Sequence, residues 1–376
     1  MTLFDALTRR HMLAATAASA GIALYPGFAH AQTGATRRFL FIIQRGAADG
    51  LAMLQPTGDP AFANLRRDQI ESGGTRIGSF FTLHPALTAI AAMQAAGQAR
   101  FYPAVGSVYR ERSHFDGQNV LEGGGARPYG RQDGWINRLI ALLPQPDRAA
   151  LAIAEAVPLA LRGPANVTSY APSRLPAASD DLLMRVGALY ASDPQLHGLW
   201  ENAQRTRAIA GDLGGNNGRN GAELGTLAAT LMRPVDGARI AMIETGGWDT
   251  HSGQRGRLAA QLRGLDALVE AFRTGVGADW SRTLVIIATE FGRTAALNGT
   301  GGTDHGTASL AMVLGGGLPS GSPIVGDWPG LAAGQLYEGR DLRAAASLET
   351  VIASTLAAHY ELEPRSVRRA LYPDLT

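Results

Sequence analysis

After its first residue, the run Arg38-Phe39-Leu40-Phe41-Ile42-Ile43 contains no polar position, and it ends at a turn opening Gln44-Arg45-Gly46. A strand with one wet face would alternate apolar and polar residues. A continuous run of this length suits a strand buried on both faces, the usual state in a parallel sheet. Similar runs occupy 101–105, 151–154, 239–244, 283–289 and 310–314. Between and after them the spacing predicts helices over 85–99, 113–122, 135–143, 255–273 and 347–360. Strands alternating with helices imply an α/β fold, a mostly parallel sheet with helices on both faces. No internal repeat breaks the rhythm.

Two stretches stand outside it. Residues 158–220 are rich in Pro and Gly and include Gly214-Gly215-Asn216-Asn217-Gly218, which reads as a helical and loop insertion within one domain spanning 32–376. The first 31 residues read as a twin-arginine signal peptide. They run from a polar start through Arg9-Arg10 and an Ala-rich apolar stretch to the breaker Pro26-Gly27 and the small-residue site Ala29-His30-Ala31. Cleavage there starts the mature chain near Gln32. The expected location is the periplasm or the medium, with the twin-arginine translocase as partner during export. The apolar stretch is short for a bilayer of roughly 30 Å, so no membrane span is expected after cleavage. The chain has no cysteine, which excludes disulfides and thiolate metal sites. A net charge of +2, with scattered basic residues, does not suggest nucleic acid.

In a sheet of this kind, ligands gather at the carboxyl ends of the strands. Polar clusters fall there repeatedly: Gln44 to Gly50, Arg112-Ser113-His114-Phe115-Asp116, Thr245 to His251, Glu290-Phe291-Gly292-Arg293-Thr294, and Gly301 to Gly306 just before a strand. Of eight histidines two lie in the signal, and His114, His251 and His305 each have an Asp within two residues. Carboxylates and neutral imidazoles suit zinc, calcium, manganese or magnesium. Each cluster has a plainer alternative: Asp49-Gly50 as a turn, Ser113 as an N-cap, Glu290 with Arg293 as an ion pair, Asp304 as a turn residue.

The motifs Arg45-Gly-Ala-Ala-Asp-Gly-Leu51, Ser113-His114-Phe115-Asp116, Gly246-Gly-Trp-Asp-Thr-His251, Thr289-Glu-Phe-Gly-Arg-Thr294 and Gly302-Thr-Asp-His-Gly306 resemble the family catalogued as domain of unknown function 1501. That family is similar to the alkaline phosphatase and sulfatase superfamily. The resemblance implies an alkaline phosphatase-like fold and a hydrolase of phosphate or sulfate esters, on a small-molecule or polymer substrate. It implies Ser113 as nucleophile, with His114 beside it as acid or base. Asp49, Asp249, His251, Glu290, Asp304 and His305 would be metal ligands, and Arg112 and Arg293 anion-binding groups. Phe291 stands where the superfamily has a histidine, and Phe cannot bind metal. That leaves open a single metal, a different metal, or a non-catalytic metal- or ligand-binding envelope protein of the same fold.

Overall fold

A computed structural model describes residues 36–171, 180–210 and 220–375. The first apolar run is strand β1 (Arg38–Gln44), buried along its whole length. Its side chains divide by parity, as a pleated strand requires. Phe39, Phe41 and Ile43 join a core with Trp135 and Leu356 on one face, while Leu40 and Ile42 join Leu262 and Val269 on the other. The Phe41 and Trp135 rings meet edge-on, with centroids 5.1 Å apart. Two apolar faces, each covered by helices, are what the uninterrupted run demanded.

Strands β2 (Leu54–Gln55), β3 (Thr75–Ile77) and β4 (Phe81–Leu83) form a small antiparallel sheet of their own. The main sheet contains β1, β5 (Ala99–Gly106), β6 (Ala150–Ile153), β7 (Val167–Ser169), β8 (Ile240–Thr245), β9 (Thr283–Ala288), β10 (Ser309–Leu314) and β11 (Ala346–Ser347). Their order is β11-β5-β10-β9-β1-β8-β6-β7. Strand β10 alone runs against its neighbours β9 and β5, and every other pairing is parallel. The segments leaving β1, β5, β8 and β9 therefore meet, at one edge of the sheet, the segment entering β10.

Helices Thr88–Ala95, Gly221–Met232 and Gln254–Val276 cover one face, and helices Trp135–Leu142, Leu348–Tyr360 and Pro364–Leu371 the other. The helix expected over 85–99 starts only at Thr88. Its opening amides at Ala89 and Ile90 donate to the Asp266 carboxylate at 2.9 Å, a cap supplied by another helix that local sequence does not reveal. The stretch expected as an insertion contributes edge strand β7 and two helices, Asp180–Tyr190 and Pro194–Ala210. The Gly214 to Gly218 connector and the signal segment lie outside the described residues. Among the described residues no helix is long and apolar enough to cross a membrane.

Candidate metal centre

Three imidazoles and one carboxylate meet at this edge. Asp249 and His251 follow β8, His114 opens the helix His114–Gly123 after β5, and His305 precedes β10. The His251 and His305 Nε2 atoms face each other at 3.0 Å. Asp249 Oδ1 lies 3.0 Å from His251 Nε2 and 3.3 Å from His305 Nε2, and Asp249 Oδ2 lies 3.5 Å from His114 Nε2. Chain contacts this close come from glycine. A Cβ on Gly302 would sit 2.2 Å from the His251 carbonyl carbon, and one on Gly306 would sit 2.4 Å from that of Arg293.

The other nitrogen of each ring is held by an acceptor. His114 Nδ1 donates to Glu290 Oε1 at 2.8 Å, His251 Nδ1 to Asp304 Oδ1 at 3.1 Å, and His305 Nδ1 to the Arg112 carbonyl at 2.8 Å. An ionised carboxylate or a carbonyl can only accept, so these contacts put the proton on Nδ1 and leave a lone pair on each Nε2 when the ring is neutral. Outer oxygen partners of this kind orient histidine ligands at metal sites. His114 Nε2 is buried without a hydrogen-bond partner, an expensive arrangement for a group that gains nothing there. One ligand atom each from His114, Asp249 and His305 lies within 4.8 Å of the other two. Ligand atoms on a tetrahedral zinc sphere, with bonds of about 2.0–2.1 Å, stand about 3.3 Å apart. The side chains of His114, Asp249 and His305 form a group that could hold a metal ion, and His251 Nε2 stands 3.0 Å from both Asp249 and His305.

Charge is arranged to match. Burial alone would raise the Asp249 carboxyl, but the Arg293 guanidinium that donates to it outweighs this and holds it low. The fully buried Glu290 is likewise pushed up by burial and pulled below the ordinary range by its bonds to His114, the Gly46 amide and Gln118. The Glu290 contact raises His114. Burial, and then the neighbouring His114, lower His305, so these adjacent rings are driven apart.

The family described as "Protein of unknown function (DUF1501)" matches residues 77–370. The chain belongs to the DUF1501 family. No curated protein matches it. Among solved structures it is similar to the C-terminal periplasmic domain of EcEptC from Escherichia coli in complex with Zn, at 7% identity and TM-score 0.44, covering 92% of this chain and 89% of that one. It is similar to Ps i-CgsB in complex with k-i-k-neocarrahexaose at 10% identity and TM-score 0.45, covering 91% and 76%. A phosphonate monoester hydrolase of Agrobacterium radiobacter follows at 11% identity and TM-score 0.39, covering 77% and 70%. Likenesses this loose carry no chemistry across.

In this DUF1501 protein the sequence-expected residues separate into three groups. Asp249, His251 and His305 converge, and His114, expected as acid or base, stands with them. Glu290 and Asp304, expected as ligands, instead accept the Nδ1 protons behind His114 and His251, and Asn298 also donates to Asp304. Asp49 is turned away: its carboxylate caps the short helix Gly50–Met53, pairs with the buried Arg66 and accepts from Gln254 at 2.5 Å.

Arg293 is not free to clamp an anion. Arg293 spends its donors on the carbonyls of Gly46, Ala47, Trp248 and Thr303 and on Asp249, and it is wholly buried. Arg112 pairs with Asp341 and Glu338. It has a left-handed backbone, φ 63°, which its carbonyl bond to His305 helps hold in place. Ser113 is the N-cap of helix His114–Gly123 by position, yet its side chain makes no capping bond. Phe291 stacks on His114 with ring centroids 5.0 Å apart and forms the site's apolar wall. The supporting roles of Gln118, Asn298 and Asp341 had no signal in the sequence.

Proposed function

We propose that this protein is a metal-dependent hydrolase of phosphate or sulfate esters that works outside the cytoplasm. The observation that carries the reading is the convergence of the His114, His251 and His305 Nε2 atoms on the Asp249 carboxylate, each ring anchored through Nδ1. These four residues would hold the ion. A donor set of three imidazoles and one carboxylate favours zinc or manganese over calcium or magnesium, which prefer all-oxygen shells. When bound, the ion would supply neutralisation of the negative charge that builds on the ester.

The rest is done by the chain itself. Ser113 precedes His114, and its hydroxyl is not spent on its own helix, so it is the nucleophile in this reading. The first-turn amides behind it, at the positive end of the helix dipole, would hold the anion's oxygens in place of the committed arginines. His114, with Nδ1 held by Glu290 and Nε2 facing Asp249 without a hydrogen bond, serves as ligand here and not as proton shuttle. A second reading, metal binding without turnover, is favoured by one fact: the Arg293 guanidinium beside Asp249 is wholly buried with every nitrogen bonded, and the Arg112 charge is met by two carboxylates.

The test is to strip the protein with chelator and reload it with zinc, manganese, calcium or magnesium in turn. Metal content and hydrolysis of 4-nitrophenyl phosphate and sulfate are then measured. The expected result is a single bound ion with zinc or manganese and turnover of one of the esters. Ser113→Ala should lower the rate by several powers of ten with metal content unchanged. Full metal loading with no hydrolysis of either ester would leave the binding reading in place. For export, changing Arg9 and Arg10 to Lys should leave uncut precursor in the cytoplasm. Normal maturation of that variant, seen by immunoblot of cell fractions, would rule out the twin-arginine route.

A further inference from the structure

The helix that opens with His114 carries a second feature along its length. Phe115, Gln118, Asn119 and Glu122 recur at the helical spacing of one face and line a cleft of about 620 Å³, a size typical of small-molecule sites. Two aromatic rings stand at this cleft in water: Phe115 is 81% exposed and Tyr129 63% exposed. Tyr129 is fixed in place. Its backbone is left-handed, φ 56°, and its amide donates to the Asn119 side chain at 2.6 Å. Holding a bulky ring in that backbone region, facing solvent, costs stability and gains no packing.

The polar part of the cleft is equally ordered. Arg45 donates to Gln118 at 2.8 Å, to Glu122 at 2.7 Å and to Glu244 at 2.6 Å. Its single positive charge is thus met by two carboxylates. Gln118 reaches on to Glu290, the same oxygen that holds His114, so the cleft and the metal centre share one hydrogen-bond chain. Planar amide, carboxylate and guanidinium groups below exposed rings suit a ligand with an apolar face and a rim of hydroxyls. The excess of carboxylates over arginine in this cluster disfavours a polyanion, and the hydrogen-bonding floor disfavours an acyl chain.

We propose that this cleft binds a neutral saccharide, the alcohol portion of the ester whose phosphate or sulfate is presented at His114, His251 and His305. The rings of Phe115 and Tyr129 would stack on the sugar faces, and Gln118, Glu244 and Arg45 would take the hydroxyls. This assignment rests on the hydrolase reading for its context, but saccharide binding can be measured without turnover.

The experiment is calorimetric titration of the full protein with neutral hexasaccharides of glucose, mannose and galactose. It is paired with kinetics on 4-nitrophenyl phosphate or sulfate and on the corresponding hexose 6-phosphate or 6-sulfate. At least one hexasaccharide should bind, about tenfold or more weaker in Phe115→Ala and in Tyr129→Ala. Tyr129→Phe, which keeps the ring, should bind like the parent. Tyr129→Ala should leave kcat/KM on the nitrophenyl ester unchanged and lower it on the sugar ester, and Phe115→Ala should lower it on the sugar ester. Binding with no hydrolysis of any ester would overturn the hydrolase reading and keep the cleft. Hydrolysis of both esters, no saccharide binding and no effect of Phe115→Ala on the sugar ester would overturn the cleft. So would binding of tetramethylammonium in place of every saccharide.

Discussion

Asp49 and Asp304 show how one residue type takes opposite roles within the same edge of the sheet. Both were expected as ligands, and neither carboxylate stands among the facing Nε2 atoms: Asp304 lies behind His251, and Asp49 lies elsewhere. Asp49 faces the guanidinium of Arg66, with each side chain 1% exposed, so its carboxylate is the counter-charge of a buried cation. Breaking such a pair from one side leaves an uncompensated charge and costs roughly 3–5 kcal/mol. Asp49→Asn should therefore lower stability in denaturant unfolding by about that amount while the folded fraction keeps its metal. Asp304 is exposed and does little for stability, but it orients His251 through Nδ1. Asp304→Ala should leave unfolding nearly unchanged and weaken zinc binding about 10- to 100-fold in a competition titration. The reverse pattern, metal lost from Asp49→Asn and kept by Asp304→Ala, would mean that the two roles had been exchanged. The sequence could not make this distinction. Asp49 and Arg66 are separated by helix Gly50–Met53, strand β2 and a turn, and nothing in the sequence says that they meet.

At the scale of elements, more was legible. The apolar runs at 38–43, 239–244 and 283–289 became β1, β8 and β9 because burial on both faces leaves its mark on every position of a strand. Strand direction leaves no such mark. The run at 310–314 reads like its neighbours, yet β10 is reversed, and only that reversal brings the segment before it, with Asp304 and His305, to the edge where other strands end. The position of His305 ahead of a strand was visible, and its meaning was not. Edge pieces were harder still. Strands β7 and β11 have three and two residues, too few for periodicity to register, and β11 pairs with β5, far along the chain. Among the site residues, those in Gly-rich motifs after long strands were found. Those acting through a neighbour, such as Gln118 on a helix face, were not, because helical spacing alone gives a polar surface residue no function.

For the molecule as a whole, the two ends of the described fold are tied together at a place that titrates. Arg37, leading into β1, donates to the backbone carbonyl of His359 and pairs with Glu361 at the end of helix Leu348–Tyr360. The His359 ring lies against Tyr360, its Nε2 buried without a partner. Burial first, and then the Arg37 charge, push its pKa down to about 4, against weaker support from the Arg38 backbone. In the unfolded chain the ring returns to about 6.5. Above that value both states hold it neutral and the contribution to stability is complete. As pH falls below 6.5 the unfolded state takes up a proton that the folded state refuses, so stability drops until about pH 4 and levels off there. A shift of this size corresponds to roughly 2–4 kcal/mol. His359→Gln removes the titration, so urea midpoints measured at pH 7 and pH 4.5 should draw closer together in the variant than in the parent. Carboxylates elsewhere add their own slope to both proteins, which is why the difference between parent and variant is the quantity to read. Equal slopes in the two would show that His359 is already solvated in the folded state and that Arg37 does not govern its charge.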